Sequence, residues 1–366
     1  MKTCVERNMP SPPALQWLAG SGAIVLAPMA GFTDAPLRRL CHRQGCALSF
    51  TEMTDAAGIV RDTPRTLQQL VTFPDEGPVV AHLYGPDPVT LGEAAARIEP
   101  LDRFVGIDLN AGCPVRKIRA KGAGAALMRD PDRLYAILAA MRRATRLPLM
   151  LKTRIGLDDA PTDAGRFQAI LDAAVTAGVG VLTLHARTVA RMHAGAPDLD
   201  RLAEARVRWP RILIGNGGIR CGADARRMFA ETGVDAVMVG REARGNPWVF
   251  SELAATLAGQ PWTPPDPAQR LAMLEQHLAD QVDYSRRQLA CHPPRGMPLD
   301  VETLAVMRFR AHLFRHLRGM PGAPRLRARL NDLFTLTDVR AAVEALASDN
   351  SNSDSVPDPN HPPANA

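Results

Sequence analysis

The sequence is poor in several residue types and patterns, and each absence argues against a class of protein. Only 5% of its 366 residues are aromatic, and no apolar run approaches the roughly 18 residues that a membrane span needs. Its six cysteines are scattered without a C-x-x-C pair, and its histidines form no cluster. This pattern argues against a zinc or iron–sulfur centre. We therefore predict a protein with no metal site and no membrane association.

The first residues also lack the features of a secretory leader. Glu6, Asn8 and a Pro-Ser-Pro-Pro run stand where such a leader carries an apolar stretch. Together with the scattered cysteines, this predicts a cytoplasmic protein with reduced thiols, which we expect to be a monomer. Lysine is scarce among the 44 basic residues, so an arginine-rich composition alone is one explanation of the net charge of +6. The alternative is an acidic partner such as nucleic acid.

Apolar residues fall into eight short runs, each followed by a helix-like segment. The predicted strands are 23–27, 47–50, 79–83, 104–109, 147–151, 179–184, 212–214 and 235–239. Asp87-Pro88 and Asp130-Pro131 are typical of a helix N-cap followed by the first helical residue. Because apolar strands alternate with helices, we predict a parallel sheet covered on both faces. Eight units favour an α/β fold of the (β/α)8 TIM-barrel type over a doubly wound sheet, since no G-x-G-x-x-G follows the first strand.

Composition divides the chain into five parts. We predict an irregular N-terminal arm over residues 1–22 and the TIM barrel over 23–257. Four prolines make a stiff linker of residues 258–267. Two apolar stripes at helical spacing predict a small all-α C-terminal domain over 268–347. Residues 348–366 are rich in Ser, Asn, Asp and Pro, and we predict that they are disordered.

Polar side chains end most of the predicted strands, where barrels carry their functional groups. In strand order they are Glu52, His82, Asn110 with Cys113, Lys152, His185 with Arg187, Asn216, and Arg241. A buried core histidine is the alternative for any single position, but packing alone does not explain the whole set. Gly217-Gly218 and Gly240 follow the last two strands. Glycine turns beside a cation predict a site for a phosphate-bearing ligand.

Cys113 lies between Gly112 and Pro114 at the end of the central strand. The segment 115–124 that follows carries four cations and two glycines, and we interpret it as a basic loop that could cover a negatively charged substrate. A thiol here can donate a proton or attack as a nucleophile, and a structural core cysteine is the alternative. Lys152 could stabilise charge on an electron-rich ring, form a Schiff base, or make a structural ion pair.

Six motifs, in order along the barrel, resemble those of the bacterial tRNA-dihydrouridine synthase family. They are Ala27-Pro28-Met29-Ala30-Gly31-Phe32-Thr33-Asp34, Thr51-Glu52-Met53, Asp108-Leu109-Asn110-Ala111-Gly112-Cys113-Pro114, Lys152-Thr153-Arg154-Ile155-Gly156, His185-Ala186-Arg187-Thr188 and Val239-Gly240-Arg241. The resemblance implies an enzyme in which FMN lies across the barrel mouth and is reduced by NADPH. Hydride would pass to C6 of a uracil ring, and Cys113 would protonate C5.

The resemblance also implies roles for other residues. Those implied to hold FMN are Pro28, Met29, Ala30, His82, Lys152, His185, Asn216, Gly217, Gly218, Gly240 and Arg241, and those implied near the target base are Glu52, Asn110 and Arg187. Two positions depart from the family pattern. Glutamine is usual where His82 stands, and imidazole cannot reproduce the paired donor and acceptor of an amide. Asn-Gly-Asp or Asn-Gly-Glu is usual where this chain has Asn216-Gly217-Gly218.

A basic segment in the C-terminal domain predicts RNA binding. Between residues 303 and 330 there are seven arginines and no acidic residue. On a helical wheel Arg308, His312 and Arg315 share a face opposite an apolar stripe, and we predict that Arg308 and Arg315 contact RNA phosphates. A solvated face is the alternative. We expect tRNA as the substrate, with rRNA, a free pyrimidine or an enoate as alternatives, and a non-enzymatic RNA-binding protein as a third possibility.

Overall fold

The protein consists of a parallel barrel and a group of C-terminal helices. It is described here from a computed structural model over residues 13–160, 163–293, 300–320 and 322–351. Residues 1–12 of the predicted arm and 352–366 of the predicted tail lie outside the described residues. None of the described helices combines the length and apolar character needed to cross a membrane.

Within the described residues, nine parallel strands form the sheet. They are β1 (Ala23–Leu26), β2 (Ser49–Phe50), β3 (Thr54–Asp55), β4 (Val79–Tyr84), β5 (Gly106–Asn110), β6 (Leu149–Arg154), β7 (Val181–His185), β8 (Ile212–Asn216) and β9 (Ala236–Val239). The pairing order is β1-β9-β8-β7-β6-β5-β4-β2, and β3 is a short extra strand that also pairs with β4. A bridge between Val25 and Leu48 brings the two ends of this order together. The predicted TIM barrel is therefore confirmed, and β3 is an addition to the predicted strands.

Helices cover the outside of the barrel. They are α1 (Ala35–Arg43), α2 (Ala56–Val60), α3 (Pro64–Leu67), α4 (Pro88–Ile98), α5 (Arg116–Ala120), α6 (Pro131–Ala144), α7 (Asp163–Thr176), α8 (Leu199–Arg208), α9 (Gly222–Thr232) and α10 (Val249–Leu257). The side chains of Asp87 and Asp130 accept hydrogen bonds from Thr90 N (2.7 Å) and Arg133 N (2.9 Å). These bonds confirm the two predicted N-caps.

The interior of the barrel is closed at its amino-terminal end by the segment before β1. Pro13–Leu18 forms a 3-10 helix, where the sequence predicted an irregular arm. Leu15 and Leu18 are fully buried and join the inward-facing core with residues such as Phe50 and Met150. The local pattern is too short to reveal this helix, because its two leucines are fixed by burial against distant strands rather than by helical periodicity.

Four α-helices follow the barrel in the part of the chain that the structure describes. They are α11 (Pro267–Cys291), α12 (Val301–His316), α13 (Ala323–Ala328) and α14 (Leu336–Ser351). Leu278, Val306 and Phe309 belong to a separate apolar core, as expected of an all-α unit. The backbone of α14 is helical through residues 348–351, which the sequence assigned to the tail.

The helical unit contacts the barrel along α11 and α12. Gln288 Nε2 and Tyr284 Oη donate to the carbonyl of Gln68 at 2.7 and 3.2 Å. Arg39 on α1 forms an ion pair of 3.0 Å with Asp280 on α11. These polar contacts hold α11 against the barrel.

Candidate functional site

An open cavity of about 910 Å³ occupies the carboxyl-terminal face of the barrel. Ligand sites in proteins have volumes of about 300–1,000 Å³, so this one has room for a substantial cofactor. The predicted site residues that line it are Pro28, Met29, Ala30, His82, Asn110, Cys113, Lys152, His185, Arg187, Asn216, Gly217, Gly218, Gly240 and Arg241. The other three, Glu52, Arg308 and Arg315, lie outside its lining.

Two glycine turns and a group of arginines form one end of the cavity. Gly217 and Gly218 have φ values of +113° and +79°, which side chains rarely adopt. A Cβ atom on Gly217 would lie 3.2 Å from Cε1 of His185 and 3.3 Å from Nη1 of Arg187, so a glycine here lets both side chains pack against the turn. That Nη1 atom is buried and has no hydrogen-bond partner among the described residues. Burial, followed by the charges of Arg241 and Arg220, lowers the pKa of Arg187.

This end of the cavity therefore concentrates positive charge: Asp224 pairs with Arg220 at 3.5 Å, while neither Arg187 nor Arg241 has an ion pair among the described residues. It suits a phosphate, since backbone N–H groups and arginines are the usual partners of that group. Arg187, which the sequence analysis predicted to lie near the target base, packs beside Gly217.

Lys152 lies in the middle of the cavity wall. Its Nζ donates to Asn216 Oδ1 at 3.2 Å, and Asn216 Nδ2 donates to the carbonyl of Met238 at 2.8 Å. Burial, with the charge of Arg154 as the next cause, lowers the pKa of Lys152 to about 8. An anionic ligand would offset that loss of solvation and favour the ammonium form.

His185 is held as a neutral imidazole. Burial lowers its pKa, and the charges of Lys152 and Arg154 lower it further. Nη1 of Arg154 approaches His185 Nδ1 at 3.4 Å. An arginine can only donate, so this nitrogen accepts and the other ring nitrogen carries the proton toward the cavity.

The thiol of Cys113 is positioned by its backbone. The amide N–H groups of Cys113 and Gly112 donate to Asn110 Oδ1 at 2.9 and 3.1 Å. Ala125 N donates to the carbonyl of Cys113 at 3.0 Å, and Gly124 packs so closely that a Cβ there would lie 3.2 Å from Cys113 Cβ. The side chain remains partly exposed within the cavity lining.

His82 is fixed by a buried partner that the sequence analysis did not identify. Its Nδ1 lies 2.5 Å from Asp108 Oδ2, and both side chains are almost fully buried. Its Nε2 lies 3.0 Å from Nδ2 of Asn110. The amide must donate here, because Asn110 Oδ1 already accepts two backbone N–H groups. Both ring nitrogens are thus used within the protein, so His82 lines the cavity without a free donor.

Glu52 supports the turn that follows β1. Its Oε1 accepts a hydrogen bond from the N–H of Gly31, and burial raises the pKa of its carboxyl group. The residues Pro28 to Ala30 of this turn line the cavity. The structure thus places Glu52 behind the lining rather than on it.

Arg154 is a further site residue that sequence reasoning missed. Its Nε donates to the carbonyl of Gly112 at 3.0 Å, and its Nη1 donates to Met192 O at 2.7 Å and Thr188 O at 3.1 Å. It thereby ties the turn before Cys113 to the loop after β7. Its place two residues after Lys152, on the same face of β6, was the available signal.

The basic segment after Cys113 is a helix rather than a loop. Arg116 and Lys117 lie exposed in α5, and Lys121 forms an ion pair of 3.4 Å with Asp55. Since Asp55 ends β3, this pair connects α5 to the wall of the barrel. The predicted lid is therefore a short helix with one end attached.

The predicted basic face of α12 lies against the barrel. His312 is buried and its Nε2 is 3.4 Å from Asp34 Oδ2. Arg308 donates to the side chains of Gln288 and Gln68, the latter at 3.2 Å. His312, which the sequence analysis grouped with Arg308 and Arg315 on the basic face, is thus buried against the barrel. A helical wheel shows which residues share a face but not which other part of the fold covers it.

Comparison with known proteins gives a consistent result. The family model described as dihydrouridine synthase matches residues 25–352. A protein of Pseudomonas aeruginosa called tRNA-dihydrouridine synthase B is 33% identical over 311 residues, which cover 85% of this chain and 88% of that protein. One of the same name from Xanthomonas campestris is 34% identical over 84% of this chain and 87% of its own length. A protein of Mycobacterium tuberculosis called probable tRNA-dihydrouridine synthase is 34% identical over 88% and 82%.

Proposed function

Because the chain belongs to the dihydrouridine synthase family, we propose that it reduces the C5–C6 bond of specific uridines in tRNA. In this proposal FMN is the bound cofactor and NADPH is the reductant. The names of the relatives from Pseudomonas and Xanthomonas support tRNA as the substrate. The chemistry of the cavity supports the cofactor.

The cavity residues fit FMN. Nη1 of Arg187, which has no hydrogen-bond partner among the described residues, and the glycine turn at Gly217 would hold the phosphate, with Arg241 adding a second cation. Lys152 would lie beside the ring system, where an ammonium group offsets negative charge on the reduced flavin. The turn of Pro28 to Ala30 would support the ring from the β1 side.

When bound, FMN would supply the hydride that is added to C6 of the uracil ring. The thiol of Cys113 holds the proton that C5 receives, and the resulting thiolate is reprotonated from solvent. Asn110 keeps the turn around Cys113 in place through its two backbone hydrogen bonds. His185, as a neutral imidazole, would donate a hydrogen bond to the flavin and would add no positive charge to the cavity. A uridine within folded RNA must leave its stack to reach this position.

One observation carries the proposal: a partly exposed thiol shares a single cavity with a buried lysine and an arginine-rich phosphate site. This combination provides a proton donor, a group that stabilises anionic rings and an anchor for a phosphate. A reductase of free pyrimidines or enoates would use the same barrel. The exposed cations of α5 and the arginine-rich helical unit favour RNA as the substrate.

The test uses purified full-length protein, its flavin spectrum and tRNA from a strain that lacks dihydrouridine. We expect a yellow protein that forms dihydrouridine in tRNA with NADPH. Cys113→Ala should keep the flavin and its reduction by NADPH but lose at least 100-fold in product formation, roughly the contribution of one acid–base group. Cys291→Ala, a change of an exposed cysteine outside the cavity, is the matched control.

Three results would contradict the proposal. A protein that binds no flavin under gentle purification would exclude the cofactor. Turnover of rRNA, free uridine or an enoate, with none of tRNA, would exclude the substrate. Unchanged product formation by Cys113→Ala would exclude the thiol as the proton donor.

A further inference from the structure

A continuous row of arginine and phenylalanine side chains leads away from the cavity. Arg244 and Phe32 line the cavity, and Cζ of Arg244 lies 5.1 Å from the centre of the Phe32 ring. Arg315 lies 5.8 Å from the same ring and 5.3 Å from that of Phe314. Arg327 ends the row, and its Cζ lies 4.8 Å from the centre of the Phe314 ring. We call these five residues the arginine–phenylalanine ladder.

The ladder crosses from the barrel to the helical unit. Phe32 follows β1 and Arg244 follows β9, whereas Arg315 and Phe314 belong to α12 and Arg327 to α13. It therefore extends the surface of the cavity onto the C-terminal helices without a break in contact.

Among the described residues, no carboxylate forms an ion pair with a ladder arginine, although Glu242 lies near enough to Arg244 to raise its pKa. Among the described ion pairs, none includes Arg244, Arg315 or Arg327. Within the described part of the chain, the Nε atoms of Arg315 and Arg327 are buried and have no hydrogen-bond partner. Burial lowers the pKa of Arg244, and the charge of Arg315 is the next cause. Because buried polar groups are usually hydrogen-bonded, these unpaired N–H groups point to an external acceptor.

The ladder also offers an apolar ring surface. Phe314 is 39% exposed although large apolar side chains favour burial. A partner that supplies both negative charge and flat rings would satisfy the arginines and cover Phe314 together. Single-stranded nucleic acid has both properties, because its bases stack on aromatic rings while its phosphates bind arginine. An acidic protein surface would supply only the charge.

We propose that the arginine–phenylalanine ladder binds the nucleotides next to the target uridine. Their phosphates contact the three ladder arginines, Arg244, Arg315 and Arg327, and an unstacked base lies on Phe314. This inference rests on the proposed function, since extraction of a uridine into the cavity leaves its neighbours unstacked at the cavity edge, where the ladder begins.

The first experiment measures binding of tRNA and of a single-stranded RNA oligonucleotide by fluorescence anisotropy, with full-length flavin-loaded protein. Phe314→Ala should weaken binding by roughly 5- to 100-fold, the range for loss of one base stack. Phe314→Trp should retain binding and Phe314→Leu should not, because only tryptophan keeps an aromatic face. The matched control is Phe334→Ala, which removes a phenylalanine that is 50% exposed and stacked 4.6 Å from Arg310, outside the ladder.

A second measurement tests the charge. Arg327→Gln should lower the slope of log affinity against log salt by about 0.7–0.9, as expected for loss of one phosphate contact. Flavin content and its reduction by NADPH should be unchanged in the Phe314 and Arg327 variants, because both residues lie outside the cavity lining.

The ladder proposal is overturned if Phe314→Ala binds RNA as tightly as Phe334→Ala, or if Phe314→Leu restores binding fully. Failure of the proposed function looks different. In that case the wild-type protein forms no dihydrouridine in tRNA, while the binding assays still report directly on the ladder.

Discussion

A close backbone contact at Gly245 offers a quantitative test of how the two parts of the protein are held together. Gly245 follows β9 and has a φ of +71°. A Cβ atom at this position would lie 2.4 Å from the carbonyl carbon of Arg315 and 2.6 Å from the N atom of His316. Both are backbone atoms of α12, so no side-chain rotation can relieve the overlap. We expect Gly245→Ala to push α12 away from the barrel.

The size of the effect can be separated into two parts. A side chain in the left-handed region costs about 1–2 kcal/mol. The overlap with α12 adds roughly 1–3 kcal/mol, the range for overpacked sites. Gly259 is a matched control, because its φ is +66° and the space around its Cβ position is open. Gly259→Ala should therefore show only the cost of a side chain in the left-handed region.

Thermal unfolding and limited proteolysis measure this difference. At about 2 °C per kcal/mol, Gly259→Ala should lower the Tm by about 2–4 °C and Gly245→Ala by about 4–10 °C. Gly245→Ala should also speed cleavage in the largely exposed segment 258–266, which connects α10 to α11. Equal Tm values and equal cleavage rates in the two variants would refute this account of the interface.

Three further predictions concern buried charges. Burial lowers the pKa of His316 to about 3. The unfolded chain therefore takes up a proton below pH 6.5 that the folded chain does not. Between pH 7.5 and 5.5 the His316→Gln variant should lose about 1.4 kcal/mol less stability than the wild-type protein. An equal loss in the two proteins would contradict this prediction. Glu76→Gln should lower the stability measured by chemical denaturation by about 3–5 kcal/mol, because it leaves Arg38 buried without its ion-pair partner at 2.7 Å. The control Asp75→Asn removes an exposed partner of Arg39 and should cost under about 1 kcal/mol. Equal losses of stability in the two variants would disprove the argument. Because burial lowers the pKa of Lys152 to about 8, the affinity for the proposed cofactor FMN should fall as the pH rises above 8. A Lys152→Met variant with the same pH profile would exclude the ammonium group as the cause.

Most of the fold could be predicted from the sequence, because the barrel is built from strong local signals. Each long barrel strand is a run of apolar residues, and caps such as Asp87 and Asp130 mark where helices begin. The lining of the cavity was predictable for the same reason, since parallel strands bring their carboxyl ends to one face.

The remaining features depend on contacts between distant residues. Nothing near His82 in the sequence indicates that Asp108 occupies its Nδ1, because the two residues meet only when β4 pairs with β5. The burial of His312 depends on Asp34, which lies on the other part of the protein. Such pairings are set by three-dimensional packing, so periodicity and motif spacing cannot reveal them.

Closure of the barrel has a consequence for how the protein is made. Gly20 N donates to Asp235 Oδ1, a contact between residues 215 positions apart. Strand β1 pairs with β9, and Ala23 lies opposite Ala236. At about 5–20 residues per second, a ribosome needs roughly 10–40 s to synthesise the intervening chain. During that time Leu15, Leu18 and one edge of β1 have been synthesised but lack their final partners. The first-made segment thus completes its contacts among the last, and the nascent chain offers a chaperone an apolar target for most of its synthesis.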